Sequence, residues 1–442
     1  MTDTIIAGGE PETALPLRAS GVSTATATSP ARAYLTLTLI LVVCALSYID
    51  RQVFGIFMEK IKEDLGLNDK AMGLLAGLTF SIFYILAAFP IARLADRGDR
   101  RLIIATCVAV WSLATAACSL ANSGLQMALA RIGLAAGEGG AGPASQSLLL
   151  HLFPAHRRTL VLSTMLAASA VGLGLGGKIG GWLSQFYDWR EAMVIVGLPG
   201  LLVALAVFVL IPEPRRKDGR AIAPPPQVPL RETLGIIAAN PSLRWVALTI
   251  IAVSMAGFPF LIWAGSFYQQ VHGMTVHEAG NALFWPITGG LVIGNLLAGW
   301  LADRFGKDNL RFHGWLASSG LLIAFPLGLA MAWLPDAKQS LACFFAFHIF
   351  ITLHLAPMMA IAFAQVPVAT RAVLGATINM VISLCGIGIG TFLVGALSDY
   401  YAAAHGAQSL RYAMMTVVFS LLLGAVAAVR AAITARPLPV AV

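Results

Sequence analysis

Apolar stretches of about 20 residues, each long enough to cross a bilayer as a helix, recur along the whole 442-residue chain. Twelve can be delimited: 33–58, 70–94, 101–121, 124–150, 158–186, 191–212, 243–270, 278–302, 310–334, 339–364, 371–398 and 409–434. The chain therefore reads as an all-α membrane protein of twelve transmembrane helices. Charged residues are 11% of the chain and hydrophobic residues 58%, whereas a soluble domain runs near a quarter charged. The first 32 residues, rich in Ala, Thr, Ser and Pro, have no apolar h-region and read as a disordered cytoplasmic tail, not a signal peptide.

Charge sets the orientation. With the N-terminus inside, twenty of the 29 Lys and Arg residues are cytoplasmic, six lie outside, and three (Arg51, Arg131 and Lys178) fall within spans. That asymmetry is what the positive-inside rule expects. The net charge of +8 is then a topology signal and needs no nucleic-acid partner. The expected location is a plasma membrane, the inner membrane in a bacterium, crossed many times with both termini in the cytoplasm. Cys44, Cys107, Cys118, Cys343 and Cys385 all fall inside expected spans without metal-like spacing, so no metal site is expected.

The two halves repeat. LADRGDRR at 94–101 returns as LADRFGK at 301–307, an offset of 207, and FPAHRRTLVLST at 153–164 aligns with VPVATRAVLGAT at 366–377, an offset of 213. GLGLGG at 172 aligns with GIGIG at 386, and LSQFYD at 183 with LSDYY at 397, both at offset 214. The expected organisation is a six-helix bundle over 33–212, a polar, proline-rich cytoplasmic linker over 213–241, a second six-helix bundle over 242–434 and a cytoplasmic tail over 435–442. Two parallel six-helix repeats with sites at their interface are the architecture of one large class of secondary transporters.

ARLADRGDRR (92–101) and GWLADRFGKD (299–308) resemble the loop motif of the major facilitator superfamily, G-x-x-x-D-R-x-G-R-R in outline. The first copy departs at Ala92 and in the order of Gly98 and Asp99. Within that superfamily, SYIDRQVFGIFMEKIKEDLGL (47–67) and ARIGLAAGEGGAGPASQSLL (130–149) resemble the spinster-like branch, which is associated with lipid and lysolipid export or sugar-like solutes. The Asp-Arg pair in the first helix also occurs in organic-anion symporters of the superfamily. The resemblance implies alternating access. It also implies a cytoplasmic latch made by Asp96 and Asp303 with Arg97, Arg100, Arg101 and Arg304.

VGLGLGGKIGG at 171–181 satisfies two phosphate-loop patterns, but its glycines lie mid-way through an expected helix whose backbone N–H groups are already bonded. Ile179 stands where the phosphate loop requires Ser or Thr. Gly172, Gly176 and Gly180, with Gly177 and Gly181 beside them, form a small-residue ridge that allows a neighbouring helix to approach closely. The spacing resembles the fifth-helix motif of superfamily antiporters, with Gly177 in place of its proline. Plain packing and a moving hinge both fit.

Ionisable groups inside the membrane are costly and usually face a partner or a cavity. Asp50 and Arg51 lie late in the first span, and Arg131 and Glu138 sit seven residues apart on one face of the fourth. Asp50 and Glu138 are the expected protonatable sites, with Arg131 as the counter-ion that favours their charged forms. The other reading of this set is a static network tying helices one and four together. Arg51 either reaches substrate or pairs nearby. Lys178 either snorkels to the outer surface or takes an anionic head group.

The C-terminal half offers His348, His354, Asn295 and Asn379 together with aromatic residues. Phe260, Trp263 and Phe267 share one face of the seventh helix, with Phe284 and Trp285 in the eighth, and Trp263 and Phe267 are substrate candidates against a background of packing or lipid contact. A charged half facing an apolar half suits an amphiphile such as a sphingolipid or lysophospholipid; a small organic anion or a sugar is the alternative. No hydrolase signature accompanies Ser145 and Ser147, and no ATP site exists, so the expectation is a proton-coupled transporter and not an enzyme. It is expected to need no cofactor, to work as a monomer, and to have its substrate, protons and membrane lipids as partners.

Overall fold

A computed structural model describes residues 29–213, 230–306 and 309–436. Most of the expected N-terminal tail, the middle of the linker and the last six residues lie outside the described residues. Among the described residues there is no strand, and ten helical segments are long and apolar enough to cross a membrane. Twelve spans are nevertheless present. The fourth, Gly124–Leu152, is a 29-residue helix whose glycines, Arg131 and Glu138 make it less apolar than its neighbours. The last segment, Val373–Ile433, covers 61 residues and two spans. They reverse at Gly406, where φ is +53°, a left-handed value that favours glycine.

The helix ends are written in the sequence. Asn68, Asp99, Ser123, Asn240, Asn309 and Asp336 each accept a backbone N–H in the first turn that follows. Asp188 with Glu191 and Thr275 with Glu278 form reciprocal capping boxes. Between the caps, uninterrupted apolar sequence leaves backbone groups no partner but their own helix. Several spans depart from regular helix, two in the C-terminal half among them. The seventh runs Pro241–Ile262, with Pro259 inside its last turn, and restarts after Trp263 as Ala264–His272. The tenth, Ala337–Ile351, tightens into a 3₁₀ turn at Thr352–His354. The end of the expected linker is itself a helix, Leu230–Ala239.

Each half packs as a bundle, and the halves meet at the end of the molecule opposite the termini. The second span pairs with the eleventh there: a Cβ on Gly77 would lie 2.5 Å from the Ile387 carbonyl oxygen, and one on Gly73 2.8 Å from that of Thr391. The fifth span pairs with the eighth in the same way, Gly181 facing Gly280 at 3.1 Å. Both partners of the first pair carry π-helical turns at the contact, Leu74–Leu78 and Ile382–Gly390. Such turns free carbonyls from the regular ladder. Toward the termini the second and eighth spans show exposed apolar residues, Leu86 and Leu94 at 61% and Leu296 at 70%.

The glycine ridge of the fifth span serves two neighbours. Gly172, Gly176 and Gly180 face the first span; a Cβ on Gly176 would lie 2.8 Å from the Ile49 carbonyl oxygen, and one on Gly180 2.5 Å from Ile56 Cγ2. Gly177 and Gly181 face the eighth span across the divide between the halves. The echo at 386–390 repeats this division. Gly386 and Gly390 lie against Ser254 and Met255 of the seventh span within their own half, and Gly388 faces Ser81 of the second span in the other.

Candidate functional site

Between the halves, closed at the end away from the termini, lies a small cavity. The N-terminal half lines it with Tyr48, Arg51, Gln52, Phe54, Ala76, Phe80, Arg131 and Leu173, and the C-terminal half with Phe258, Leu261, Ile262 and Ile387.

Three of the five expected intramembrane charges are almost wholly buried: Asp50, Arg131 and Glu138 are each 3% exposed. Their pairing differs from the expected one. Glu138 is held by Arg51, whose Nε donates to Glu138 Oε2 at 2.7 Å and whose Nη2 donates to the same oxygen. Ser47 Oγ adds a third bond to Oε2 at 2.9 Å, and Oε1 has no partner. Adjacent helical residues point about 100° apart. Arg51 therefore turns to the fourth span while Asp50 turns to the third, where its Oδ2 accepts from Thr115 Oγ1 at 3.2 Å and its Oδ1 has no partner.

Arg131 is not the counter-ion of either acid within 4 Å. Its Nε donates to the Leu75 carbonyl at 3.5 Å, at the π turn of the second span, and its guanidinium lies 4.2 Å from the Phe54 ring centroid. Phe80 separates the two arginines, with Arg51 4.5 Å and Arg131 5.4 Å from its centroid. Aromatic faces attract cations, so the ring holds both guanidiniums on the cavity wall without a carboxylate for each. Ser47 and Thr115 have no intramembrane charge of their own to single them out. Tyr48, Gln52 and Phe80 could be read only as ordinary helix positions.

Trp263 and Phe267 do not line this cavity. Both are fully buried, because the break at Ile262 turns their rings into a cluster with Tyr268 and Phe344, and Trp263 Nε1 donates to the Thr391 carbonyl at 3.0 Å. Lys178 is exposed and lies 5.3 Å from the Phe284 ring, outside the cavity. His348 is buried with Nδ1 2.9 Å from the Phe344 carbonyl.

Among the described residues, those expected as a latch are not one group. Arg100 is fully buried and paired with Glu213, Nη2 to Oε1 at 2.7 Å, and its Nη1 donates to the Ser147 carbonyl at 3.2 Å. It ties the third, fourth and sixth spans of one half together. Arg101 pairs with its neighbour Asp99 at 3.2 Å. Asp303 and Arg304 are exposed, and the side chains of Asp96 and Arg97 lie outside the described residues.

Two six-span halves closed around a buried, charge-lined cavity define a multi-pass membrane transporter. The chain belongs to the Major Facilitator Superfamily, whose sequence pattern matches residues 40–391. It is 31% identical over 87% of its length to an MFS-type efflux pump of Mycolicibacterium smegmatis, covering 89% of that protein. It is 25% identical to a hexuronate transporter of Bacillus subtilis, over 63% of this chain and 69% of that one. Its fold matches a crystal structure of a bacterial homolog to the human lysosomal transporter Spinster, in an inward-facing and unoccupied conformation, with a TM-score of 0.82 and 27% identity over 93% of this chain and 100% of that one. The resemblance to the spinster-like branch therefore extends from two sequence segments to the whole fold.

Proposed function

We propose that this protein is a proton-coupled secondary active transporter that works by alternating access and moves a lipid-like amphiphile, of the sphingolipid or lysophospholipid kind, across a bacterial inner membrane. The division of the cavity wall carries this reading: two arginines on one side, Phe258, Leu261, Ile262 and Ile387 on the other. A polar head fits the first surface and a hydrocarbon tail the second. With both termini in the cytoplasm, the closed end is the outer one and this conformation is inward-facing.

Asp50 and Glu138 are the proton-coupling residues of the proposal. Proton uptake at Glu138 releases Arg51 from its only ion pair among the described residues. It thereby links protonation to the charge that the cavity offers a substrate. Two guanidiniums and the likeness to a hexuronate transporter favour a second reading, a small organic anion.

Reconstituted protein supplied with a lysolipid panel and with a sugar-acid panel, each with and without an imposed pH gradient, separates the two. Gradient-stimulated lysolipid flux is the expected result. Gradient-stimulated flux of sugar acids alone selects the second reading, and flux indifferent to the gradient removes proton coupling.

A further inference from the structure

Gln52 follows Arg51 in the first span, lines the same cavity and is 3% exposed, yet its Nε2 has no hydrogen-bond partner. A buried amide donor left unpaired is costly, and such groups ordinarily find an acceptor. The fifth span makes room for this side chain: a Cβ on Gly176 would stand 2.8 Å from Gln52 Cβ, and one on Gly177 3.8 Å from its Cγ. Arg131 is a second donor on this wall without an acceptor to match. It appears in none of the six ion pairs among the described residues, and its guanidinium donates only the 3.5 Å bond to Leu75. Arg51, by contrast, is already occupied by Glu138.

We propose that Gln52 and Arg131 form an oxyanion subsite that takes the carboxylate or phosphate of the transported molecule, with Arg131 supplying the charge and Gln52 Nε2 a directed hydrogen bond to a second oxygen. The proposal rests on the reading of this cavity as the transport site. Gln52 is then a specificity-determining residue. Its amide rewards a substrate bearing an oxygen acceptor beside the charge and is left unpaired by one that lacks it. A lipid head group and a small acid present the same chemistry here.

The test uses the full chain and three probes: lysophosphatidylglycerol, monoacylglycerol with the same tail, and galacturonate. Transport in proteoliposomes and the thermal midpoint with each probe are read for the unaltered protein and for Gln52→Leu, Gln52→Asn and Arg131→Gln. For the anionic probe that is transported, Gln52→Leu is expected to raise KM about tenfold with little change in kcat, the weight of one hydrogen bond to a charged group. Gln52→Asn, which keeps the amide and guards against a mere folding defect, falls between the two. Arg131→Gln removes the preference over monoacylglycerol. An unchanged KM in Gln52→Leu overturns the subsite, as does equal handling of monoacylglycerol and lysophosphatidylglycerol by the unaltered protein. If no probe is transported, the transport reading fails. A thermal shift by an anionic probe that Gln52→Leu abolishes still supports the subsite in that case, and a shift that survives the substitution, or no shift at all, overturns it.

Discussion

Arg51 and Glu138 join the first and fourth spans through a single carboxylate oxygen, which accepts both Nε, at 2.7 Å, and Nη2. Removing one member strands the other charge in a site where Glu138 is 3% exposed. Such a break costs about 3–5 kcal/mol. Glu138→Gln and Arg51→Gln are each expected to lower the thermal midpoint in detergent, and the double variant to cost clearly less than their sum. Additive losses would show that the two charges are stabilised independently.

Asp50 stands apart from that pair, with one hydroxyl partner, Thr115, and a free Oδ1. A carboxylate with a vacant oxygen beside the cavity wall is placed to take up and release a proton. Asp50→Asn is expected to reduce uptake driven by a pH gradient to background while sparing exchange at equal pH. Thr115→Val is expected to keep both, with an altered pH profile. Gradient-driven uptake that survives both Asp50→Asn and Glu138→Gln removes these acids from the coupling.

The closed end is held by a cluster the intramembrane charges do not reveal. Lys62 pairs with Glu59 at 2.6 Å and Asp69 at 2.8 Å, and Asp69 accepts from Ser398 Oγ at 2.6 Å in the other half. Asp399 accepts the backbone N–H groups of Asp69 and Lys70 at 3.1 and 3.0 Å. Burial disfavours the Lys62 ammonium, but Glu59 and Asp69 outweigh it and hold its pKa above the ordinary 10.5. A raised pKa means that the bridge contributes fully below the unfolded value and is lost as pH rises through the folded one. Titration of Lys62 is therefore expected to leave closure unchanged between about pH 6 and about pH 9 and to weaken it only above about 10.5. Lys62→Met is expected to raise alkylation of a cysteine placed by Ser266→Cys, in a background without native cysteines, about fivefold, the effect of ~1 kcal/mol on the opening equilibrium. Unchanged alkylation would assign closure to apolar packing alone.

Trp263 and Phe267 are packing residues, and the prediction separates stability from transport. Phe267→Ala opens a cavity in a fully buried cluster and is expected to cost about 3–5 kcal/mol. Trp263→Phe loses the bond to Thr391 and costs about 1 kcal/mol. Both variants, and Lys178→Met outside the cavity, are expected to keep the KM of whatever substrate is transported. A several-fold rise in KM in any of them would return that residue to the substrate path.

The twelve spans, the repeat and the membrane acids were legible because length, hydropathy and charge act locally or recur at a fixed offset. The pairing of those charges was not. Arg131 and Glu138 share a helix face, so spacing alone favoured Arg131 near the acids, but the choice of partner depends on how the first helix is rotated against the fourth. The rings of Phe54 and Phe80 then face Arg131 where no carboxylate of the described residues lies within 4 Å. Trp263 and Phe267 failed as substrate candidates for a related reason: a continuous seventh helix gives them one face, and the break after Pro259 gives them another. Gln52 carried no sequence signal, because an unpaired amide is visible only once its surroundings are known.

The glycines at 171–181 yield a contrast that the sequence motif does not. A Cβ on Gly177 would stand 3.5 Å from the Gly280 carbonyl oxygen, ordinary contact, whereas one on Gly280 would run into the Gly177 carbonyl and lie 2.9 Å from Gly181 Cα. The closed contact between the fifth and eighth spans thus depends on Gly280 far more than on the residue that stands at the proline position of the antiporter motif. Gly177→Ala is expected to leave stability and transport within about 0.5 kcal/mol and about twofold of the unaltered protein. Gly280→Val forces backbones apart across the divide between the halves. It is expected to disfavour this conformation and to raise alkylation at the same Ser266→Cys reporter. Equal effects of the two substitutions would mean that the fifth and eighth spans do not need to touch for the cavity to close.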